Sequence, residues 1–154
     1  MDVSDIVTAS SVFVDLKPGS KKQLLQDLAI HAARHVNEDE RKIFDVLLQR
    51  ERLGSTGVGN GVAIPHGKLS KIDRIYGLFA RLHKPIAFDA MDDQPVDIVF
   101  LLLAPEGSGA AHLKALSRVA RLLRNPSRLA QIRASEDAET LFSVITANED
   151  AHAA

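Results

Sequence analysis

Residues 75–104, IYGLFARLHKPIAFDAMDDQPVDIVFLLLA, contain the two best candidate strands of the chain. Residues 96–104 include the longest apolar run of the sequence, which is typical of a central strand that is buried on both faces of a sheet. The intervening MDDQP holds turn formers and no helical pattern. We therefore expect residues 75–82 and 96–104 to be neighbouring strands that pair antiparallel.

On the N-terminal side of this strand pair, apolar residues recur at helical spacing. One helix is predicted at about residues 20–36, and Ser20 with Gln23 has the spacing of a capping box at its start. A second helix is predicted from near Glu38 to Gly54, because a glycine commonly follows the last turn of a helix.

The C-terminal part of the chain returns to helical spacing after a loop at residues 105–109. Another helix is predicted to start at residues 125–127, and a last one has Ser135 as its N-cap. Short strands are predicted at residues 12–16 and 62–64. Because helices and strands are interleaved, we expect an α/β fold, namely a three-layer α/β/α sandwich with a mixed central β-sheet flanked by helices.

The composition is that of an ordinary globular domain. The 154 residues are 45% hydrophobic and 25% charged, which predicts one domain over residues 1–154 with a core at about residues 6–146 and a frayed polar tail. The net charge of −1 gives no field that favours nucleic acid or a membrane surface. With no tryptophan and one tyrosine, stacking on single-stranded nucleic acid is not expected either.

The absence of cysteine excludes disulfides, thiolate nucleophiles and cysteine-based zinc sites. The N-terminal residues are acidic and lack the basic region of a signal peptide. The longest apolar run, at residues 98–104, is too short to cross a bilayer, so no membrane insertion is expected. We expect a cytoplasmic protein.

The sequence at residues 54–69, GSTGVGNGVAIPHGKL, holds five of the nine glycines and has the composition of a phosphate-binding loop. It fails the P-loop pattern, because His66 stands where a second glycine is needed and Leu69 replaces the hydroxyl residue after Lys68. The dinucleotide fingerprint fails at Val62. Two interpretations remain: a flexible loop that holds an anion beside His66, or a surface turn with an incidental histidine.

Three segments carry a resemblance to a known family. LLQRERLGSTGVGNGVAIPHGKL, at residues 47–69, resembles the active-site signature of the IIA domains of the mannitol/fructose class in the bacterial sugar phosphotransferase system. HKPIAFDAMDDQPVDIVFLLLAPEG resembles the central strands of that family, and AAHLKALSRVARLL the helix that follows them. The resemblance covers roughly residues 6–146 and is strongest with the nitrogen-regulatory branch of the family.

This resemblance implies roles for particular residues. The histidine of the Pro-His-Gly carries the phosphoryl group in the family, and it corresponds to His66. Family analogy places phosphorus on Nε2, although the sequence itself does not distinguish the two ring nitrogens. Arg50 and His112 match the other active-site arginine and histidine. The hydroxyls of Ser55 and Thr56 are further candidates for binding the phosphoryl group.

The resemblance also implies partners. The protein would take its phosphoryl group from an HPr-like phosphocarrier protein, itself phosphorylated by an enzyme I, without any cofactor. It would then regulate targets such as sensor kinases and potassium-transport regulators. The alternatives are a sugar-specific IIA component that passes phosphate to a IIB domain, a binding module that has lost phosphotransfer, and a histidine-based hydrolase, against which the missing G-x-S-x-G counts.

The remaining histidines carry less information. His31 and His35 form an i,i+4 pair, but the glutamate of H-E-x-x-H and a third ligand are missing, so no metal site is expected. His83 and His152 are predicted to be solvated. The acidic pair at residues 92–93 is predicted to form a turn rather than a general acid/base pair.

Overall fold

A mixed β-sheet forms the middle layer of the protein. The computed structural model describes residues 2–147, and within them the chain forms six strands, five α-helices and two short 3₁₀ helices at Val3–Asp5 and Ala9–Ser11. The strands are β1 (Val12–Leu16), β2 (Gly57–Gly59), β3 (Val62–Ala63), β4 (His66–Leu69), β5 (Tyr76–Ile86) and β6 (Val96–Pro105). The helices are α1 (Lys21–Ala33), α2 (Glu40–Leu53), α3 (Gly109–Arg124), α4 (Pro126–Ala134) and α5 (Ala138–Thr146).

The predicted antiparallel pair is confirmed and lies at the centre of the sheet. β5 runs antiparallel to β6, with Phe79 opposite Phe100. β5 continues beyond its predicted end to Ile86, which pairs with Val96 after an irregularity in the register. The irregularity lets the strand pass Pro85, whose nitrogen cannot donate to the ladder.

The order of strands in the sheet is β1-β5-β6-β3-β2, and β4 follows β3 along the same edge of β6. β1 lies parallel to β5, while β3 and β4 both lie parallel to β6. β2 closes the edge antiparallel to β3. The prediction of a mixed sheet is therefore confirmed.

Helices cover both faces of this sheet. Along β6, Phe100 and its alternate neighbours join the cluster under α3, α4 and α5, while Leu101 and its alternate neighbours join the cluster under α1 and α2. Val96 and residues 98–104 are fully buried, which is why the sequence of this strand shows no polar alternation. The predicted three-layer α/β/α sandwich is confirmed.

The strand predicted at residues 62–64 of the glycine-rich segment is confirmed as β3, and β2 and β4 form where its composition suggested a flexible loop. β2 and β3 form a hairpin whose two central residues, Asn60 and Gly61, have φ values of 58° and 79°. Positive φ at both positions is what a type I′ turn requires, and Asn-Gly is its preferred sequence. After Pro65 the chain enters β4 at His66.

The predicted N-cap of the last helix is wrong. The Ser135 hydroxyl donates to the carbonyl of Gln131, so this serine closes α4 instead of opening α5. Asp137 caps α5, since its carboxylate accepts a 2.7 Å hydrogen bond from the N–H of Thr140. The predicted frayed tail, with His152, lies outside the described residues. Among the described helices, none combines the length and apolarity needed to cross a membrane.

Gly67 determines how closely α2 approaches β4. A Cβ atom added at Gly67 would collide with Cγ1 of Val46, a half-buried residue of α2. The glycine after His66 therefore lets the helix that carries Arg50 lie directly against the strand that carries His66.

We predict that Gly67→Ala lowers the free energy of unfolding by about 1–3 kcal/mol, because the new methyl group overpacks this contact. Val46→Ala in the same chain should restore part of the loss. Gly109→Ala is the control, since a Cβ there meets no atom within 4 Å. Urea unfolding of wild type, the two single glycine variants and the double variant measures the effect. A Gly67→Ala protein as stable as wild type would contradict the role given to this glycine.

Candidate active site

His66 is the first residue of β4 and lies half-buried beside Leu102 of β6. Its Nδ1 is 2.9 Å from the carbonyl oxygen of Ile64. Because a carbonyl oxygen only accepts hydrogen bonds, Nδ1 must be the donor. In the neutral ring the proton is therefore on Nδ1 and the lone pair on Nε2.

Arg50 supports the same assignment from the other side of the ring. It lies in the last turn of α2, and its Nε donates to Nε2 of His66 over 3.3 Å. A guanidinium has no acceptor, so this contact requires an unprotonated Nε2. The Nη1 of Arg50 donates to the carbonyl of Gly54 over 2.9 Å, which fixes the direction of the guanidinium.

His112 brings a second imidazole to the site from the first turn of α3. The rings of His66 and His112 are 5.6 Å apart between centroids and meet at 74°. His112 is only 6% exposed, and its Nε2 is buried with no hydrogen-bond partner among the described residues. A buried nitrogen without a partner is costly, and it is therefore a candidate to bind a group that enters the site.

The start of α3 also favours an anion. The first backbone hydrogen bond of this helix runs from His112 N–H to the carbonyl of Ser108, so the preceding N–H groups have no helical acceptor. The Ser108 hydroxyl donates to the carbonyl of Pro105 and does not cap the helix. The positive end of the helix dipole therefore lies at the site without a capping side chain.

Both rings are poised to be neutral near pH 7. Burial lowers the pKa of His66, and the charge of Arg50 lowers it further, while the hydrogen bond to Ile64 and the charge of Glu51 oppose the shift. Burial also lowers the pKa of His112, with added repulsion from His66 and Lys68. A neutral His66 keeps its Nε2 lone pair available as a nucleophile.

Arg50, His66 and His112 line one open cleft of about 600 Å³ between the ends of α2, β4 and α3. Lys68 lies two residues after His66 in β4 and adds a positive charge to the cleft. Leu53 and Leu113 lie at its rim and are 85% and 69% exposed. A larger groove of about 740 Å³ between α1 and α2 contains none of the predicted site residues.

Sequence reasoning did not assign Lys68, Leu53 or Leu113 to the site. The signal for Lys68 was its i,i+2 spacing from His66, which places two side chains on the same face of a strand. That spacing is informative only once β4 is recognised. Leu53 and Leu113 come from separate helices, and no local pattern predicts that they flank one cleft.

Neither Ser55 nor Thr56 lines this cleft. The Ser55 hydroxyl donates to the carbonyl of Phe88 over 2.9 Å, and the buried Thr56 hydroxyl donates to the carboxylate of Glu51. Both hydroxyl protons are thus bound within the protein. Their assignment as phosphoryl-binding groups stays a prediction.

The other histidines lie apart from the cleft. His31 stacks against Phe13 with 4.3 Å between ring centroids, and Nδ1 of His35 is 3.0 Å from the hydroxyl of Tyr76. His83 is half-exposed and donates to the carboxylate of Asp15. Within residues 2–147, no cluster of three or more histidine and carboxylate side chains is arranged to hold a metal ion.

The acidic pair after β5 forms a turn, as predicted. The carboxylate of Asp92 accepts hydrogen bonds from the N–H groups of Asn60 and Gln94, and Asp93 has a φ of 59°. These contacts hold the turn against the β2–β3 hairpin. Asp92 thus has a structural role as a hydrogen-bond acceptor, and Asp93 occupies a turn position with positive φ.

The chain matches known proteins over nearly all of its length. The family model of the phosphoenolpyruvate-dependent sugar phosphotransferase system, EIIA 2, matches residues 5–148. The nitrogen regulatory protein of Bradyrhizobium diazoefficiens is 58% identical over 145 residues, which cover 94% of this chain and 95% of that protein. The fructose-specific EIIA component of Haloferax volcanii is 35% identical over 151 residues, or 94% and 97% of the two chains.

A solved structure agrees with these matches. The crystal structure of the nitrogen regulatory protein IIA-Ntr from Neisseria meningitidis superposes with a TM-score of 0.89 at 35% identity, covering 94% of this chain and 99% of that one. The likeness thus extends over the sheet and both helical layers. On the family model and these relatives together, the chain belongs to the EIIA 2 family of the phosphoenolpyruvate-dependent sugar phosphotransferase system.

Proposed function

We propose that this protein is a phosphohistidine relay and regulator of a nitrogen-related phosphotransferase system. It accepts a phosphoryl group on Nε2 of His66 from an HPr-like phosphocarrier that an enzyme I has phosphorylated. The observation that carries the proposal is the pair of hydrogen bonds at the two nitrogens of the His66 ring. Nδ1 donates to the carbonyl of Ile64, while Nε2 accepts from Arg50.

The transfer needs no general base. The Nε2 lone pair of His66 attacks phosphorus as the nitrogen–phosphorus bond to the carrier breaks, and the carrier nitrogen leaves with that electron pair. The proton on Nδ1 stays in its hydrogen bond to Ile64 throughout. One nitrogen–phosphorus bond replaces another, so the group can be passed on again.

The surrounding charges act on the phosphoryl oxygens. As phosphorus approaches Nε2, the guanidinium of Arg50 gives up its hydrogen bond to that nitrogen. It then donates to the phosphoryl oxygens, which become charged in the transition state. The backbone N–H groups at the start of α3 are further donors. Nε2 of His112, which has no partner among the described residues, donates once its ring is protonated. Because a phosphoryl dianion beside His112 favours its imidazolium form, phosphorylation raises the pKa of that ring.

Phosphorylation also changes the surface that partners meet. The cleft lies between two exposed leucines, Leu53 and Leu113, so a dianion at His66 adds negative charge beside Arg50 and Lys68 inside an apolar rim. A partner that binds the phosphorylated and unphosphorylated forms with different affinities therefore responds to the phosphorylation of His66. Sensor kinases and potassium-transport regulators in the cytoplasm are the targets that the family resemblance suggests.

Sequence identity to known relatives favours the nitrogen-regulatory role over the sugar-specific alternative. The Bradyrhizobium nitrogen regulatory protein is 58% identical, whereas the Haloferax fructose-specific component is 35% identical. In the alternative, the same phosphorylated His66 would pass its group to a IIB domain.

The direct test is phosphorylation with phosphoenolpyruvate, a matching enzyme I and its HPr-like carrier. We expect wild type to acquire one acid-labile, base-stable phosphoryl group, and His66→Ala to acquire none. His83→Ala is the matched control and should behave as wild type, because His83 is half-exposed and binds Asp15 away from the cleft. Phosphorylation of His66→Ala, or none of wild type, would refute the proposal.

Replacing Arg50 should change both the rate and its pH dependence. Since the charge of Arg50 lowers the pKa of His66, Arg50→Gln should raise that pKa. The reactive neutral ring exists above the pKa, so the acid limb of the rate profile should move to higher pH. We expect the rate at neutral pH to fall by about 10²-fold, as for loss of one transition-state donor.

NMR titration of His66 and initial rates between pH 5 and 8 measure the two effects. Arg52→Gln is the control, because Arg52 has the same chemistry two residues further along α2 but is not among the cleft-lining residues. If Arg50→Gln left both the His66 pKa and the rate unchanged, the role given to Arg50 would be wrong.

A further inference from the structure

Glu51 is a buried carboxylate directly after Arg50 in α2. Its side chain is only 3% exposed, and its Oε1 lies 3.0 Å from the ammonium of Lys21. The N–H of Thr56 donates to the same oxygen over 3.0 Å, and the Thr56 hydroxyl donates to Oε2. A buried charge is tolerated only when it is paired and hydrogen-bonded in this way.

These contacts fix the turn that follows α2. Gly54 closes the helix, with its N–H donating to the carbonyl of Glu51 over 3.1 Å and its φ at 154°. Thr56, two residues later, is held by both oxygens of the Glu51 carboxylate. The turn at residues 54–56 is therefore tied at both ends to one residue, Glu51.

The same turn supplies the acceptor that orients Arg50. The carbonyl of Gly54 accepts from Nη1 of Arg50 over 2.9 Å, while Nε of Arg50 reaches His66. Among the described residues, no carboxylate lies within ion-pair distance of Arg50. The direction of the guanidinium thus depends on where the Gly54 carbonyl is held.

The Lys21 end of the ion pair connects this turn to the rest of the fold. Lys21 lies in the first turn of α1, and its ammonium is also 4.4 Å from the centroid of the Phe88 ring. The carbonyl of Phe88 in turn accepts from the Ser55 hydroxyl. Glu51 is therefore the charged centre where α1, the end of α2 and the segment after β5 meet.

We propose that Glu51 is a positioning residue for phosphoryl transfer: its carboxylate holds the 54–56 turn so that the Gly54 carbonyl directs Arg50 onto Nε2 of His66. The proposal rests on the proposed function and deepens it. Glu51 touches neither the phosphoryl group nor the reacting nitrogen, and it acts through Arg50.

A double-mutant cycle separates this role from a purely structural one. Glu51→Gln preserves the shape of the side chain but removes the charge that binds Lys21. We compare it with Arg50→Gln and the double variant, measuring kcat and KM for phosphoryl acceptance from the carrier. Arg133→Gln is the matched control, because Arg133 binds Asp97 and the carbonyl of Asn60 and so supports the same glycine-rich hairpin from its other end.

We expect Glu51→Gln to lower kcat about tenfold with little change in KM, since the defect is in orientation rather than in carrier binding. In the Arg50→Gln background, the same change should cost less than about twofold, because its effect passes through Arg50. Arg133→Gln should transfer at the wild-type rate. Wild-type kcat in Glu51→Gln, or losses that simply multiply in the double variant, would overturn the proposal.

A second measurement does not depend on phosphotransfer. The Nε–H cross-peak of Arg50 in a ¹H–¹⁵N spectrum should shift or broaden in Glu51→Gln and in Thr56→Val, and remain unchanged in Arg133→Gln. If wild type accepts no phosphoryl group, the proposed function fails, yet this spectrum still tests the positioning. An unchanged Arg50 cross-peak in both site variants would overturn the role of Glu51 alone.

Discussion

The hydrogen bond from Nδ1 of His66 to the carbonyl of Ile64 is the contact on which the site depends. It holds the imidazole in one tautomer and one orientation, with the lone pair of Nε2 directed at Arg50. Burial and the nearby guanidinium both disfavour protonation of the ring. A neutral ring with its lone pair on Nε2 suits the proposed phosphoryl transfer, which then needs no general base.

The rest of the fold brings charge to that nitrogen without placing a carboxylate in contact with it. Gly67 lets α2 lie against β4, which brings Arg50 within reach of His66. The loop after β6 leads into α3, whose first turn brings the ring of His112 to 5.6 Å from that of His66, between centroids. Glu51, the buried carboxylate next to Arg50 in the chain, forms an ion pair with Lys21.

Much of this architecture could be predicted from the sequence, because the relevant signals are local. The apolar run of β6 predicted a central buried strand, and the absence of a helical pattern before it predicted its antiparallel partner. GSTGVGNGVAIPHGKL matches neither nucleotide-binding fingerprint, and His66 is the side chain that breaks the P-loop pattern. The family resemblance then supplied Arg50 and His112, which spacing alone did not connect.

What the sequence did not predict depends on contacts between distant residues. Apart from the strand at residues 62–64, the glycine-rich segment was expected to be a flexible loop, although its Asn-Gly pair is the usual sequence of a tight hairpin turn. Ser55 and Thr56 looked like free donors, but Phe88 and Glu51 accept their hydroxyl protons in the folded chain. A hydroxyl residue in a glycine-rich stretch does not reveal whether its partner is a ligand or a buried part of the protein.

The most direct test of the central claim is to determine which nitrogen of His66 carries phosphorus. Long-range ¹H–¹⁵N and ³¹P NMR spectra of the phosphorylated, ¹⁵N-labelled protein distinguish the two isomers. The hydrogen bond to Ile64 predicts phosphorus on Nε2, with the Nδ1 proton retained. Phosphorus on Nδ1 would require that hydrogen bond to break and would contradict the account of how this site selects its nucleophile.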